Sequence, residues 1–234
     1  MHSDLEVEAI AFWDDMTQQA FLDKLAALRV ATCDQLPTPQ LAVLIRATAR
    51  LRRSGMVQKA LQTGETVPNF HFIDRDNNQQ SLYQLLESGP VVLNFFRGFW
   101  CMFCKTELQA LDLICAELDE KGCHYLAICP QQVDPADDSY ARVQFVFDKQ
   151  NQIARSFNIV YELSADERDL LAGWDIDLNS KSESSGWSLP IPATYIVAQD
   201  KTVSFQFADV DFRSRCCPEE LIEELNRLKP GGSS

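Results

Sequence analysis

Two cysteines separated by two residues, Cys101 and Cys104, form the most reactive pattern in this sequence. They follow a short apolar run at residues 91–96, which is typical of a buried parallel strand. Apolar residues that recur at three-residue spacing predict a helix directly after that strand: Leu108, Leu111 and Ile114. Both thiols then lie in the first helical turn, where the helix dipole and the unpaired backbone N–H groups favour thiolate, the reactive form.

Basic residues flank the cysteine pair. Arg97 precedes it and Lys105 follows it, and a positive charge near a thiol lowers the pKa of that thiol. Arg97 could also stabilise negative charge on a departing oxygen, because a guanidinium is permanently charged. The alternative is that Arg97 is an ordinary surface residue. The pattern therefore predicts thiol redox chemistry, with the part played by Arg97 left open.

Composition excludes several classes of function. The 234-residue chain has a formal net charge of −13, whereas nucleic-acid binding needs clustered Lys and Arg, so we expect no nucleic-acid partner. No stretch approaches the roughly 20 apolar residues of a membrane span, so we expect no membrane partner either. The amino terminus lacks the pattern of a signal peptide, and eight cysteines without an export signal indicate reduced thiols. We therefore expect a cytoplasmic protein.

The other cysteines predict neither a cofactor nor a metal site. A zinc centre needs four ligands, and the pair at 101 and 104 has no second pair of cysteines or histidines at a suitable spacing. Cys216 and Cys217, just before the last predicted helix, are either a distant resolving thiol or partly buried thiols. Three further cysteines are expected to fill the core as small hydrophobic residues: Cys115, Cys123 and Cys129.

The chain divides into a helical extension at residues 1–62, a redox domain at 63–229 and a flexible tail at 230–234. Leu22 and Leu25 mark the apolar face of a first helix. A second helix is expected with Thr38 as its N-cap and Pro39 as its first residue, and it ends near Gly55. Two short helices cannot hold a core alone, so we expect them to pack on the redox domain or to complete a two-fold dimer. A truncation near residue 63 should then lose stability or change the oligomeric state.

In the redox domain, strands alternate with helices, and two strands and a helix close the chain. Strands are predicted at 70–72, 91–96, 124–129, 144–147, 193–197 and 203–207, and helices at 81–86, 101–121, 150–157 and 218–228. Residues 161–189 are predicted as a long, polar and irregular connection. This order favours an α/β class, a thioredoxin-like fold whose central mixed sheet is flanked by helices.

Segments of the chain resemble known families. W-C-M-F-C, from Trp100 to Cys104, resembles the W-C-x-x-C motif of thioredoxin-fold oxidoreductases. P-I-P-A-T-Y-I-V-A-Q-D-K, at 190–201, resembles the segment in which that fold carries a cis-proline, which implies a cis bond before Pro192. The segments 64–70, 91–108 and 145–157 resemble the AhpC/TSA peroxiredoxin-like family. The resemblance implies that Trp100, Arg97 and Pro192 orient the substrate.

The resemblance also implies roles for the two cysteines. Setting K-T-E-L, which follows Cys104, against the family pattern places Cys104 at the position that attacks peroxide. The threonine of the family then falls on Cys101 and its proline on Arg97, while its peroxide-orienting arginine falls on Pro192. Cys104 would form sulfenic acid, and Cys101, one helical turn away, would condense with it into a disulfide. Alternatively, Cys101 is the exposed nucleophile and Cys104 resolves a mixed disulfide.

Three functions remain open at this point. The leading expectation is a peroxiredoxin-like thiol oxidoreductase that reduces hydroperoxides and is recycled by a thioredoxin-type dithiol. The second is a thioredoxin-like protein-disulfide reductase with little peroxidase activity. The third is a non-enzymatic redox sensor whose helical extension signals to a partner. The expected partners are accordingly a hydroperoxide or a protein disulfide, a thioredoxin-type reductant and a second copy of the chain.

Overall fold

The structure is a computed structural model that describes residues 18–132, 140, 142–178 and 186–228. The predicted tail at 230–234 and the first 17 residues lie outside the described residues. In chain order the elements are α1 (Gln18–Gln35), α2 (Thr38–Arg53), α3 (Met56–Lys59), β1 (His71–Ile73), β2 (Gln79–Ser81), α4 (Leu82–Ser88), β3 (Val91–Phe95), α5 (Met102–Glu120), β4 (His124–Cys129), β5 (Gln144–Phe147), α6 (Gln152–Ser156), β6 (Val160–Glu162), α7 (Ala165–Ala172), β7 (Ser188–Pro190), β8 (Ala193–Val197), β9 (Val203–Ala208) and α8 (Pro218–Arg227).

A five-stranded mixed sheet forms the centre, in the order β5-β4-β3-β8-β9. The first three strands are parallel to one another, whereas β8 and β9 run antiparallel to their neighbours. Two antiparallel pairs, β1 with β2 and β6 with β7, lie outside this sheet. All five residues of β3 are buried, because the strand is central in the sheet and covered on both faces. The prediction of a mixed α/β sheet flanked by helices is confirmed.

Alternate residues of β3 face two separate hydrophobic clusters. Leu93 and Phe95 belong to one cluster, and Val92 and Phe96 belong to the other. The second cluster also contains the apolar faces of α5 and α8, so the helix that follows the cysteines packs directly on the sheet. This packing fixes the start of α5 at the carboxyl end of β3.

The amino-terminal helices pack on the redox domain, which confirms that branch of the prediction. Phe21 and Leu25 of α1 are buried in the same cluster as α5, and α2 contacts α7. Arg50 of α2 forms an ion pair with Glu167 at 2.7 Å. Helix α2 begins one residue earlier than predicted, because its N-cap is Pro37 and Thr38 is its first residue. A boundary at residue 62 and a two-fold dimer stay predictions.

The prediction that residues 161–189 are irregular is wrong for most of its described part. That part contains most of β6, all of α7 and the first residues of β7. Helix α7 begins with a capping box, because the Ser164 hydroxyl accepts from the Glu167 backbone N–H while the Glu167 carboxylate accepts from the Ser164 backbone N–H. Local capping therefore outweighs the polar composition on which the prediction was based.

The predicted cis bond between Ile191 and Pro192 is also wrong, since this bond is trans and no described peptide bond is cis. The Ile191 N–H donates to the Ile159 carbonyl at 2.8 Å, and the Pro192 carbonyl accepts from the Asp209 N–H at 3.2 Å. The chain thus passes from β7 into β8 in an extended form that needs no turn. In such a segment the trans bond, favoured by about 0.5–1 kcal/mol before proline, is retained.

The described residues contain no helix that is both long and apolar enough to cross a bilayer.

Replacing Phe21 by alanine tests the docking of α1. Phe21 is 1% exposed, whereas its neighbour Leu22 is 42% exposed, so the two positions form a matched pair. We expect Phe21→Ala to lower the free energy of unfolding by about 3–5 kcal/mol, because it leaves a cavity beside α5. Leu22→Ala should change the free energy by less than about 1 kcal/mol. Urea unfolding measures both values, and equal losses would mean that α1 does not stabilise the domain through this face.

Candidate active site

The cysteine pair lies at the start of α5, as predicted. Cys101 is the N-cap residue with an extended backbone, and Cys104 belongs to the first turn. Gly98 shapes the preceding loop with a φ of +145°, a conformation that favours glycine. A Cβ at Gly98 would lie 2.6 Å from Trp100 Nε1 and 2.7 Å from Gln131 Oε1. The Phe99 N–H donates to that same Gln131 oxygen at 2.9 Å, so the loop is fixed immediately before the first cysteine.

Both cysteines are buried, and their side chains share a hydrogen bond. Cys104 is fully buried and Cys101 is 5% exposed. A hydrogen bond from the Cys104 thiol lowers the pKa of Cys101 well below its ordinary value, and the nearby guanidinium groups act in the same direction against burial. Burial, followed by the hydrogen bond and charge of Cys101, raises the pKa of Cys104. The pair therefore carries its first negative charge on Cys101.

Arg215, which the sequence did not indicate, is a cation that contacts both sulfurs of the pair. Its Nη2 donates to Cys104 Sγ at 3.2 Å and to Cys101 Sγ at 3.8 Å. Its Nε lies 3.2 Å from a carboxylate oxygen of Glu107 and donates to the Phe103 carbonyl at 3.3 Å. The side chain is completely buried, so no solvent screens its charge. One guanidinium is thus shared between a carboxyl group and both sulfurs.

Arg97 is the second cation of the site and not a surface residue, since it is only 6% exposed. Its guanidinium carbon lies 4.8 Å from the ring centre of Trp100 and 4.7 Å from that of Phe212. Burial disfavours its charge, but Tyr161 and the two cysteines outweigh burial and raise the pKa of Arg97. Trp100 therefore contacts the site by stacking on Arg97.

Pro192 lies near the same end of the sheet. The next residue, Ala193, pairs with Phe95 at the carboxyl end of β3, just before the cysteine loop. The Pro192 carbonyl accepts from the Asp209 N–H. Asp209 is the first residue of the segment at 209–217, which carries Arg215 and which we call the site loop. Pro192 therefore supports the site loop through its backbone, and a role in orienting the substrate stays a prediction.

Glu107 is a buried carboxyl one helical turn beyond Cys104, on the same face of α5. Burial raises its pKa to about 7, opposed by Arg215 and by the side chain of Asn94, whereas the charge of Cys101 raises it further. Asn94, also fully buried, donates to Thr194 across the sheet at 3.0 Å. Glu107 could have been identified from its helical spacing, but nothing in the sequence places Arg215 beside it.

The remaining buried cysteines are poor nucleophiles. Burial raises the pKa of Cys216 well above its ordinary value and that of Cys217 to about 12. This favours the interpretation of both as buried thiols over a resolving role. The three predicted core cysteines are buried as expected, and burial raises the pKa of each to about 12: Cys115, Cys123 and Cys129. Within the described ranges, no three His, Cys, Asp or Glu side chains cluster as metal ligands would.

Residues 63–206 match the model of the AhpC/TSA family. Two plant proteins are similar in sequence. They are 1-Cys peroxiredoxin A of Oryza sativa subsp. japonica, 26% identical over 148 residues, and 1-Cys peroxiredoxin PER1 of Zea mays, 24% identical over 149 residues. Each alignment covers 63% of this chain. The chain spans 64% and 65% of the lengths of these two relatives, just under two thirds.

Solved structures share the fold. Peroxidoxin BcpB of Mycobacterium tuberculosis superposes with a TM-score of 0.51 and 18% identity, over 73% of this chain and 99% of that one. A mutant of peroxiredoxin 6 of Arenicola marina gives a TM-score of 0.56 and 15% identity, over 72% of this chain and 73% of that one. At this level of identity the likeness supports the thioredoxin-like architecture alone.

Removing the guanidinium of Arg215 should raise the pKa of Cys101. An opposite charge at this distance lowers a pKa by about 1–3, so we expect the thiolate titration of Arg215→Gln to move to higher pH by about 1–3 pH units. Thiolate absorbance in the ultraviolet measures the shift, in a Cys33→Ser background that removes the exposed thiol. Arg213→Gln is the matched control, because Arg213 pairs with Asp211. An unchanged midpoint in Arg215→Gln would contradict the electrostatic role.

Proposed function

Because the chain belongs to the AhpC/TSA family, we propose that it is a thiol-dependent peroxidase that reduces hydroperoxides at Cys104 and Cys101. The observation that carries this proposal is the guanidinium of Arg215, held 3.2 Å from Cys104 Sγ inside a buried site. Breaking the O–O bond of a peroxide places negative charge on the departing oxygen. A fixed cation in a site without water stabilises that charge more than one in solvent does.

The two cysteines divide the reaction between them. Cys101 holds the resting thiolate and hydrogen-bonds with the Cys104 thiol, so it can take the proton of Cys104. The Cys104 thiolate then attacks the terminal peroxide oxygen and the O–O bond breaks, which gives sulfenic acid and an alkoxide or hydroxide; this departing oxygen takes up one proton and leaves as an alcohol or water. The Cys101 thiol condenses with this sulfenic acid, one water leaves, and a disulfide joins the pair. The arrangement of residues 101 and 104 in one helical turn supports this sequence of steps.

Two arginines support the chemistry from different sides. Arg215 contacts both sulfurs, and Arg97 adds a second positive charge that is held between two aromatic rings. Hydrogen-bonding groups that keep their place during the reaction need no reorganisation when charge develops. We assign Arg215 to the departing oxygen, and both arginines to keeping the pair ionised.

A thioredoxin-type dithiol is the proposed reductant. Regeneration requires a thiolate of the reductant to attack one sulfur of the new disulfide, and a second thiol of the reductant to release the protein. Cys101 is the more exposed of the two sulfurs, which favours it as the site of this attack. The W-C-x-x-C segment, with Trp100 beside Cys101, supports the same assignment.

Protein-disulfide reduction is the second candidate, and one observation favours it. The lowered pKa of Cys101 makes the more accessible sulfur the resting thiolate, as a disulfide reductase requires. In that case Cys101 attacks the partner and Cys104 resolves the mixed disulfide. The two candidates therefore differ in which sulfur reacts first.

Single serine variants separate the candidates. We expect Cys104→Ser to abolish consumption of hydrogen peroxide and of an organic hydroperoxide, because it removes the sulfur that accepts the oxygen. Cys101→Ser should still react once and accumulate a sulfenic acid at Cys104, which a dimedone-type probe and mass spectrometry locate. Cys33→Ser, which removes an exposed cysteine on α1, is the matched control and should keep full activity.

Other outcomes decide against the proposal. A sulfenic acid that forms only at Cys101, with Cys104→Ser still reacting with peroxide, would reverse the two roles. Reduction of a protein disulfide at full rate, together with peroxide consumption no faster than that of a variant lacking both cysteines, would establish the second candidate instead.

A further inference from the structure

Glu107 has a carboxyl oxygen that receives no hydrogen bond. The residue is 1% exposed, and Arg215 Nε lies 3.2 Å from its Oε2. That N–H donates instead to the Phe103 carbonyl, so Oε2 accepts no hydrogen bond from any described residue. Burying an ionised carboxylate is costly when one of its oxygens has an ion pair but accepts no hydrogen bond, and protonation of the carboxyl lowers that cost.

A second orphan acceptor belongs to the same group of side chains. Asn94 of β3, whose side chain interacts with Glu107, donates its Nδ2 to Thr194, but its Oδ1 receives no hydrogen bond within the described part of the chain. The network thus contains two buried oxygens that receive no hydrogen bond, and the nearby Tyr125 hydroxyl also has no partner among the described residues. A proton on Glu107 would supply one donor, and the pKa of Glu107, which burial raises to about 7, permits it at neutral pH.

Charged and titratable groups face Glu107 from every element around it. Cys101, the N-cap residue of α5, lies before Glu107 on the same helix. Arg215 and the backbone N–H of Cys216 face Glu107 from the site loop. Tyr125 faces it from β4, and Asn94 from β3. Among these groups, only the cysteine pair loses a charge when the protein is oxidised. Disulfide formation removes the thiolate and leaves both guanidinium groups, so it must lower the pKa of Glu107.

We propose that Glu107 exchanges a proton in step with the redox state of the cysteine pair. It holds the proton while the pair carries a thiolate and releases it when the disulfide forms. With the hydroperoxide of the proposed function as oxidant, the balance is Cys–S⁻ + Cys–SH + Glu–COOH + ROOH → Cys–S–S–Cys + Glu–COO⁻ + ROH + H₂O. Two electrons pass from the sulfurs to the peroxide, and the proton that the departing oxygen needs is the one that Glu107 releases.

Glu107 is a positioning residue in this scheme. It contacts Arg215 and Asn94 and acts on the sulfurs through charge, without contacting substrate. Its effect keeps the total charge of the site constant, because the negative charge lost from the sulfurs reappears on the carboxylate. The two buried guanidinium groups therefore have one negative partner in either redox state, which is the Cys101 thiolate in the reduced protein and the Glu107 carboxylate in the disulfide form.

A redox titration of the full-length protein tests the proposal without peroxide. The equilibrium is measured against dithiothreitol in the pH unit below the pKa of Glu107, about 7. Both thiols of the reagent stay protonated there, because ordinary thiols have a pKa of about 8.5. Reduction of the wild-type pair to a thiolate and a thiol, with most of one proton taken up by Glu107, should give an equilibrium constant that changes by no more than about twofold across this pH unit.

The variant Glu107→Gln cannot take up that proton. For this variant, the equilibrium constant for reduction by dithiothreitol should rise about tenfold when the pH rises by one unit. A tenfold change corresponds to a shift of about 30 mV in the reduction potential of a two-electron couple. Asp148→Asn is the matched control. Asp148 is another buried carboxyl, with a pKa raised by burial to about 6, but it accepts from the backbone of Ile153 and Ala154 and should leave the wild-type behaviour unchanged. Equal pH dependence in wild type and Glu107→Gln overturns the proposal.

An infrared difference spectrum provides a readout that needs no variant. Oxidation of the wild-type protein should remove the C=O band of a protonated carboxyl and add a carboxylate band. An unchanged band of the protonated carboxyl would overturn the proposal, even if Glu107→Gln failed to fold. Neither measurement uses peroxide, so absence of peroxidase activity would leave this result standing. Conversely, a failure here would leave the peroxidase proposal untouched.

Discussion

The site depends on one buried guanidinium, that of Arg215, which is shared between the Glu107 carboxyl and both sulfurs. Removing a guanidinium from water is expensive unless hydrogen bonds and opposite charges replace the lost solvation. Arg215 receives this replacement from the Phe103 and Ser214 carbonyls as well as from the charged groups. Since a buried cation without partners would be strongly destabilising, folding of the site loop and ionisation of the cysteine pair support each other. The interaction that favours thiolate is therefore also part of what holds the site together.

The position of Arg215 follows from contacts outside the cysteine helix. The site loop is attached at its start by the hydrogen bond from Asp209 to Pro192, and inside it the Asp211 carboxylate accepts from the backbone and side chain of Arg213. Arg29 of α1 donates to the Arg213 carbonyl at 3.0 Å, so the amino-terminal extension reaches the same loop. Phe212 packs edge-on against Phe103, with ring centres 5.7 Å apart, while stacking on Arg97. Extension, loop and helix start thus form one connected support.

The sequence predicted the parts of this arrangement that are local. The apolar run of β3 and the helix that begins after it were predicted from patterns of neighbouring residues. Arg215 could not be predicted in this way, because it is 111 residues from Cys104 and lies in a loop without periodicity. The capping box of α7 is a different case, because Ser164 and Glu167 have the spacing from which the start of this helix could have been predicted. The bond before Pro192 was predicted to be cis from the resemblance alone. It is trans, because the chain runs extended from β7 into β8.

Two of the three departures from the family pattern are physically linked. Where the resemblance places the threonine and proline of the family, this chain has Cys101 and Arg97, so a neutral hydroxyl is exchanged for an ionisable thiol and an uncharged ring for a guanidinium. A thiolate at Cys101 in a buried site would be costly beside Glu107 if Arg215 were the only cation. Arg97 adds the second positive charge, and its position between Trp100 and Phe212 compensates part of its own desolvation. The two changes compensate each other in part, because the thiol brings a negative charge into the buried site and the guanidinium brings a positive one.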